Sequence, residues 1–268
     1  MRKLLLTISL QLVLTIPGLF AQDTLVFNKA YIPEPDTITV YTPQNTDTPT
    51  NGFPLLYLLH GWSGHFSDWN NHTSIQAVAD KYGFIIVCPD GFYSSWYLDS
   101  PLLKNNQYRT FFNEDLVPAI HQKYKVDSSK VFITGLSMGG QGSINLFIDK
   151  PGYFLAAGSM SGILDITAFP DNWGMKNLLG EYKNNHAIWE KYSCVCNLDR
   201  LKDKTHPVLI DCGTEDIAYA VNVKFKEKAE KIGYKITFTS RPGEHNWAYW
   251  VKSLPMHMDY FKNLADAK

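Results

Sequence analysis

A serine framed by glycines, Gly135-Leu136-Ser137-Met138-Gly139, stands where a β-branched run, Lys130 to Thr134, gives way to an amphipathic stretch beginning at Met138. That frame suits a strand turning abruptly into a helix, because glycines two before and two after the serine leave room where a Cβ would collide with backbone. On such a turn the hydroxyl is lifted out of the sheet and sits near the positive end of the following helix. A serine attacks a carbonyl only when a base takes its proton, and the base needs an acid to fix its tautomer. Both are on offer downstream. Pro207 to Asp211 reads as a strand followed by a glycine-containing loop with Glu215 and Asp216. Lys235 to Ser240 reads as another strand, followed by Pro242, Gly243 and His245. Upstream, the apolar run Leu55 to Leu59 leads directly into His60, Gly61 and Trp62, a loop in the position from which a backbone donor can meet a developing oxyanion.

Each of these residues has a plainer use. Asp216 could cap the helix that follows it, and Glu215 could supply the acid instead. Asp216 is preferred over its neighbour; Asp211 lies inside its strand, and the acid must reach over the strand end. His257 falls in the last helix two residues after Pro255, and His60 more readily structures its own loop, which leaves His245 as base. Around Met160 the pattern Gly158-Ser-Met-Ser-Gly162 puts a methionine where the nucleophile would have to be. Among the loop aromatics, Trp62, Trp96 and Tyr97 are expected to form a wall against substrate.

The elements that must position these groups alternate. Strands are expected at Thr24 to Asn28, Thr37 to Tyr41, Leu55 to Leu59, Phe84 to Val87, around Val131, Phe154 to Ser159, around Val208 and around Ile236. Helices are expected from about Ser74 to Tyr82, Thr110 to Tyr124, from Met138, up to Ile232, and from Trp247. Alternation of this kind makes an α/β fold with a mostly parallel central sheet covered by helices on both faces, and the first two strands should add an antiparallel edge. No repeat, low-complexity tract or linker divides residues 22–268, which read as one domain.

With LLHGWSG, the segment Cys88 to Pro101, FFNEDLVPAIHQKY, GLSMGG, DCGTEDIAY and PGEHNWAYW on view, the chain resembles esterases of the α/β-hydrolase superfamily. The group concerned includes feruloyl and acetyl-xylan esterases, S-formylglutathione hydrolases, tributyrin esterases and mycolyltransferases. The resemblance implies an α/β-hydrolase fold, Ser137 as nucleophile, Asp216 as acid, His245 as base, and the backbone N–H groups of Trp62 and Met138 as the oxyanion hole. It also implies hydrolysis of short acyl or hydroxycinnamoyl esters of polysaccharides without cofactor or metal. S-formylglutathione or tributyrin-type hydrolysis, acyl transfer to sugar hydroxyls and non-catalytic binding are the alternatives. The chain departs from the group in lacking a lid domain and in its own stretch Phe169 to Arg200.

Bulk properties narrow the partners and the compartment. The 25 basic and 26 acidic residues nearly cancel, which leaves no electrostatic footprint for nucleic acid or an anionic membrane; a small-molecule or oligosaccharide ester is the expected partner. Residues 1–21 read as a signal peptide, with Arg2 and Lys3 before an apolar stretch and Ala21 at the cleavage point. No membrane association is expected after cleavage. Four cysteines in an exported chain invite disulfides, and a bridge from the Cys194 to Cys196 segment to Cys212 is the favoured pairing. Neither cysteines nor histidines are spaced as a zinc site.

Overall fold

The computed structural model describes residues 22–44, 46–201 and 205–268, so the expected signal peptide lies outside the described residues. Eight strands form one sheet: β1 (Gln22–Phe27), β2 (Asp36–Tyr41), β3 (Phe53–Leu59), β4 (Ile85–Pro89), β5 (Val126–Gly135), β6 (Ala156–Met160), β7 (Val208–Gly213) and β8 (Thr237–Arg241). Their order is β1-β2-β4-β3-β5-β6-β7-β8. β1 pairs antiparallel with β2 and β2 with β4; all other pairings are parallel. The antiparallel edge is therefore where the sequence puts it.

Strands β4, β6 and β7 are buried along their whole length, as expected when helices cover both faces of a parallel sheet. On β3 alternate side chains serve opposite faces. Leu55, Tyr57 and Leu59 join one core cluster, while Leu56 and Leu58 join the other. The helix Ile75–Tyr82 shows how local signals set element ends: Ser74 accepts a hydrogen bond from the Ala77 amide, and Gly83 closes the helix at a φ of 69°.

Between β4 and β5, the expected single helix is interrupted. Tyr108–Phe111 passes through a π turn, Phe112–Leu116, into Val117–Lys123. Pro118 has no N–H to give to the Glu114 carbonyl, so the regular ladder fails at that point. Between β6 and β7 the stretch Phe169 to Arg200 folds into short helices, Met175–Leu179, His186–Tyr192 and Cys194–Asn197. It makes no separate lid, being tied to the helix Met138–Asp149 where the Gln141 and Asn145 side chains donate to the Tyr192 carbonyl at 2.8 and 2.5 Å.

The disulfide expectation is corrected: all four cysteines are free. The Cys194 thiol donates to the Gln141 carbonyl at 3.4 Å, whereas Cys212 lies beside Ser161 at the end of β7.

Strand order also locates the crevice. From β3 the chain steps to β4 on one side and then crosses to β5 on the other, so the loops leaving β3 and β5 diverge. In open α/β sheets a ligand site lies at the carboxyl ends of the strands where the order reverses. Here those ends carry His60 to Trp62 and Ser137.

Candidate active site

Ser137 adopts φ 53° and ψ −116°, a combination costly for any residue with a side chain and found where surrounding structure enforces it. The enforcement is visible in the flanking glycines. A Cβ on Gly135 would lie 2.6 Å from the Gly139 carbonyl oxygen, and one on Gly139 would lie 2.5 Å from that of His60. The Ser137 amide donates to the Met160 carbonyl at 2.9 Å, and the Ser137 carbonyl accepts from Gln141 at 3.0 Å. Held at both ends, the residue projects its hydroxyl at the start of Met138–Asp149.

His245 joins that hydroxyl to a carboxylate. Its Nε2 is 2.8 Å from Ser137 Oγ, and its Nδ1 is 2.8 Å from Asp216 Oδ1. A carboxylate can only accept, so Nδ1 carries the ring proton and Nε2 accepts from the serine. Asp216 Oδ1 also accepts from the Ala218 amide at 2.7 Å; that bond fixes the turn ahead of the helix Tyr219–Lys231, which has Ala218 at its N-cap and no side-chain cap. Glu215 turns elsewhere and accepts from the Gly243 amide. That bond holds its carboxyl below the usual range.

The loops bearing Asp216 and His245 are laced together. Thr214 N–H donates to the Arg241 carbonyl at 3.0 Å and Glu215 N–H to the Gly243 carbonyl at 3.1 Å. Beneath them, buried Asp211 accepts from Arg241 at 3.0 and 3.1 Å and from the Tyr249 hydroxyl at 2.6 Å. The spacing between the Asp216 and His245 loops is thus fixed by strands β7 and β8 and by the last helix, Trp247–Asp266.

Across the crevice, the loop after β3 is gripped by the loop after β4. Gly91 N–H donates to His60 Nε2 at 2.6 Å, Ser63 N–H to the Tyr93 carbonyl at 2.8 Å, and the Tyr97 hydroxyl to the His60 carbonyl at 3.0 Å. Burial holds the Tyr97 phenol far above its usual pKa, so it remains a donor. His60 Nε2 is an acceptor and its Nδ1 faces the Gly61 carbonyl at 2.7 Å, which makes it a neutral strut. The amides of Trp62 and Met138 make no hydrogen bond among the described residues; Met138 opens its helix, where N–H groups have no intrahelical partner.

A cavity of about 150 Å³ opens on the serine, with Trp62, Trp173, Trp247, Trp250 and Asp68 around Ser137 and His245. An apolar cavity of about that volume takes one benzene ring. The expectation that Trp96 and Tyr97 line it is corrected, since both are buried in the core. Tyr97 lies where Cβ atoms on Gly91 and Gly142 would fall 2.3 and 2.4 Å from its ring; Trp96 packs behind Trp173, ring centroids 5.8 Å apart. Trp62 does line the cavity. Trp247 and Trp250 were missed, although their places two and five residues after His245 at a helix start put them near that histidine. Trp173 and Asp68 carry no comparable signal. Among the described residues no group of His, Cys, Asp and Glu is arranged to hold a metal ion.

Comparison with known proteins gives the family. The Esterase profile, described as "Putative esterase", matches residues 30–261. The chain belongs to that family. This esterase is 22% identical to an acetyl esterase of Caldicellulosiruptor saccharolyticus, over 82% of its own chain and 87% of the relative. It is also 22% identical to an S-formylglutathione hydrolase of Arabidopsis thaliana, over 84% and 86% of the two chains. Among solved structures, a ferulic acid esterase superposes with a TM-score of 0.75 at 26% identity, covering 91% of this esterase and all of that chain. The fold is that of the α/β-hydrolases and the enzyme is a carboxylic ester hydrolase. Among the described residues, no helix is long and apolar enough to cross a membrane.

Proposed function

We propose that this esterase is secreted or periplasmic and works through an acyl-serine intermediate on short acyl or hydroxycinnamoyl esters of polysaccharides. The observation that carries the reading is the hydrogen-bond chain from Ser137 Oγ through His245 to Asp216, 2.8 Å at each link, opening on a small aromatic cavity. His245 removes the Ser137 proton as the hydroxyl attacks the ester carbonyl, and returns it to the leaving alcohol. Asp216 stabilises the imidazolium and stays ionised. The carbonyl oxygen, now anionic, is received by the Trp62 and Met138 amides, each donor lowering the barrier by about 3 kcal/mol. Water, activated by His245, then releases the acid.

The cavity volume supports small acyl groups in this reading, an acetyl group or the ring of a hydroxycinnamoyl group. Aromatic walls on several sides suit a flat acyl group. The likeness to a ferulic acid esterase and an acetyl esterase supports the same choice. Export is supported by the basic and apolar pattern of residues 1–21, and residues 22–268 act as one domain in this reading.

S-formylglutathione hydrolysis is the second reading, favoured by the Arabidopsis relative. Against it, the residues lining the cavity include Asp68 and no lysine or arginine, so the carboxylates of glutathione would meet an anion and no cation. A panel of acetyl, feruloyl, long-chain triglyceride and S-formylglutathione substrates tests the choice. Acetyl and feruloyl esters are expected to turn over fastest. A preference for S-formylglutathione or for long chains would overturn the reading.

A further inference from the structure

A second cavity has a volume of about 190 Å³. Trp62 lines the first and Tyr93 the second. The two rings meet edge to face with centroids 5.0 Å apart, so one aromatic surface runs from the scissile position into the neighbouring space. Tyr93 is 60% exposed, so the part of its ring not packed on Trp62 faces solvent. It follows Phe92, whose φ of 53° sets the turn that presents it.

The polar groups there are equally distinctive. Asn106 is only 3% exposed, and its Oδ1 is buried without a hydrogen-bond partner among the described residues. A buried acceptor without a partner is destabilising, and a ligand hydroxyl that reaches it relieves that cost. Ser94 and Asn105 add neutral polar groups, Leu103 adds an apolar side, and Glu34 is the sole charge in the lining. An anion would find no cation there and would be repelled by Glu34. A hydrocarbon chain would leave the amides and the carboxylate unpaired. A neutral ring with one apolar face and hydroxyls around its edge satisfies both requirements, and a volume somewhat larger than about 150 Å³, the size that takes benzene, holds one such ring.

We propose that this cavity binds a neutral sugar residue of the alcohol part of the substrate, stacked on Tyr93 and hydrogen-bonded by Asn106. The inference rests on the polysaccharide-ester reading but is tested separately from it. Unesterified xylotriose is titrated into the wild-type protein while the tryptophan indole N–H signals are followed by NMR, and the same is done with Tyr93→Ala and Tyr93→Phe. Saturable binding that shifts the Trp62 indole is expected. Loss of the stacking face in Tyr93→Ala should weaken it about tenfold, whereas Tyr93→Phe keeps the face and stays within about twofold. Second, kcat/KM is measured for acetylated xylotriose and for 4-nitrophenyl acetate, and Tyr93→Ala should lower the ratio of the two about tenfold. Absence of xylotriose binding to wild type, equal binding by Tyr93→Ala, or an unchanged ratio would overturn the subsite. Binding of xylotriose without any cleavage of its acetylated form would instead support the subsite and overturn the polysaccharide-ester reading.

Discussion

Adjacent carboxylates on the loop after β7 reach different partners, and this difference sets their expected roles. Asp216 touches His245, while Glu215 accepts from the Gly243 amide on the base loop. Asp216→Asn should lower kcat roughly 10³- to 10⁴-fold, because an amide cannot hold the imidazole in the required tautomer. Glu215→Gln should retain most activity, since its side-chain oxygen still accepts from Gly243. Hydrolysis of 4-nitrophenyl acetate by both variants at neutral pH checks this, and a larger loss in Glu215→Gln would transfer the acid role. The sequence could rank these two because reach over a strand end is a matter of spacing. It could not place Tyr97, whose burial depends on room left by Gly142 on a distant helix as well as by Gly91 on its own loop, nor Trp96, which packs against Trp173 far along the chain.

At the scale of elements, the turn from β5 into Met138–Asp149 is the feature on which the site depends. A methyl group on Gly139 would stand 2.5 and 2.6 Å from the carbonyl oxygens of His60 and Leu59. Both are backbone atoms and cannot step aside cheaply. Gly139→Ala should therefore lower stability by about 3 kcal/mol or more and separate the serine from the loop after β3. Gly152→Ala, with nothing within 4 Å of the added carbon, is the control and should change stability by less than about 0.5 kcal/mol. Urea denaturation of both variants distinguishes a specific packing demand from a general intolerance of alanine. All eight strands could be read from the sequence because each carries an apolar or β-branched run. Less legible was the first half of β5, Val126 to Lys130, which is polar and half exposed and joins the sheet only through its pairing with β3. Short helices between β6 and β7 were equally opaque, since tertiary contacts with Met138–Asp149 rather than periodicity fix them.

For the molecule as a whole, His257 couples the last helix to the middle of the sheet. It is fully buried with Nδ1 2.9 Å from Thr134 Oγ1, against the space left by Gly158. Burial pushes its pKa down to about 4, with Asp211 and Arg241 as the nearest charged influences. A histidine with a folded pKa below its unfolded value binds more protons when unfolded. Its contribution is therefore fully present above about pH 6.5 and is lost as pH falls toward 4, by up to about 3 kcal/mol. Urea denaturation between pH 7 and pH 4 should show this loss, and His257→Gln should flatten it; identical slopes in the two proteins would refute the assignment. The walls of the catalytic cavity have a different kind of consequence. Trp62 comes from the loop after β3, Trp173 from the excursion between β6 and β7, and Trp247 and Trp250 from the last helix, whereas Ser137, His245 and Asp216 ride on strand ends. Trp173 is the wall residue with no part in positioning any of those three. Replacing the Trp173 ring alone therefore alters the room offered to an acyl group while the hydrogen-bond chain from Ser137 to Asp216 keeps its supports.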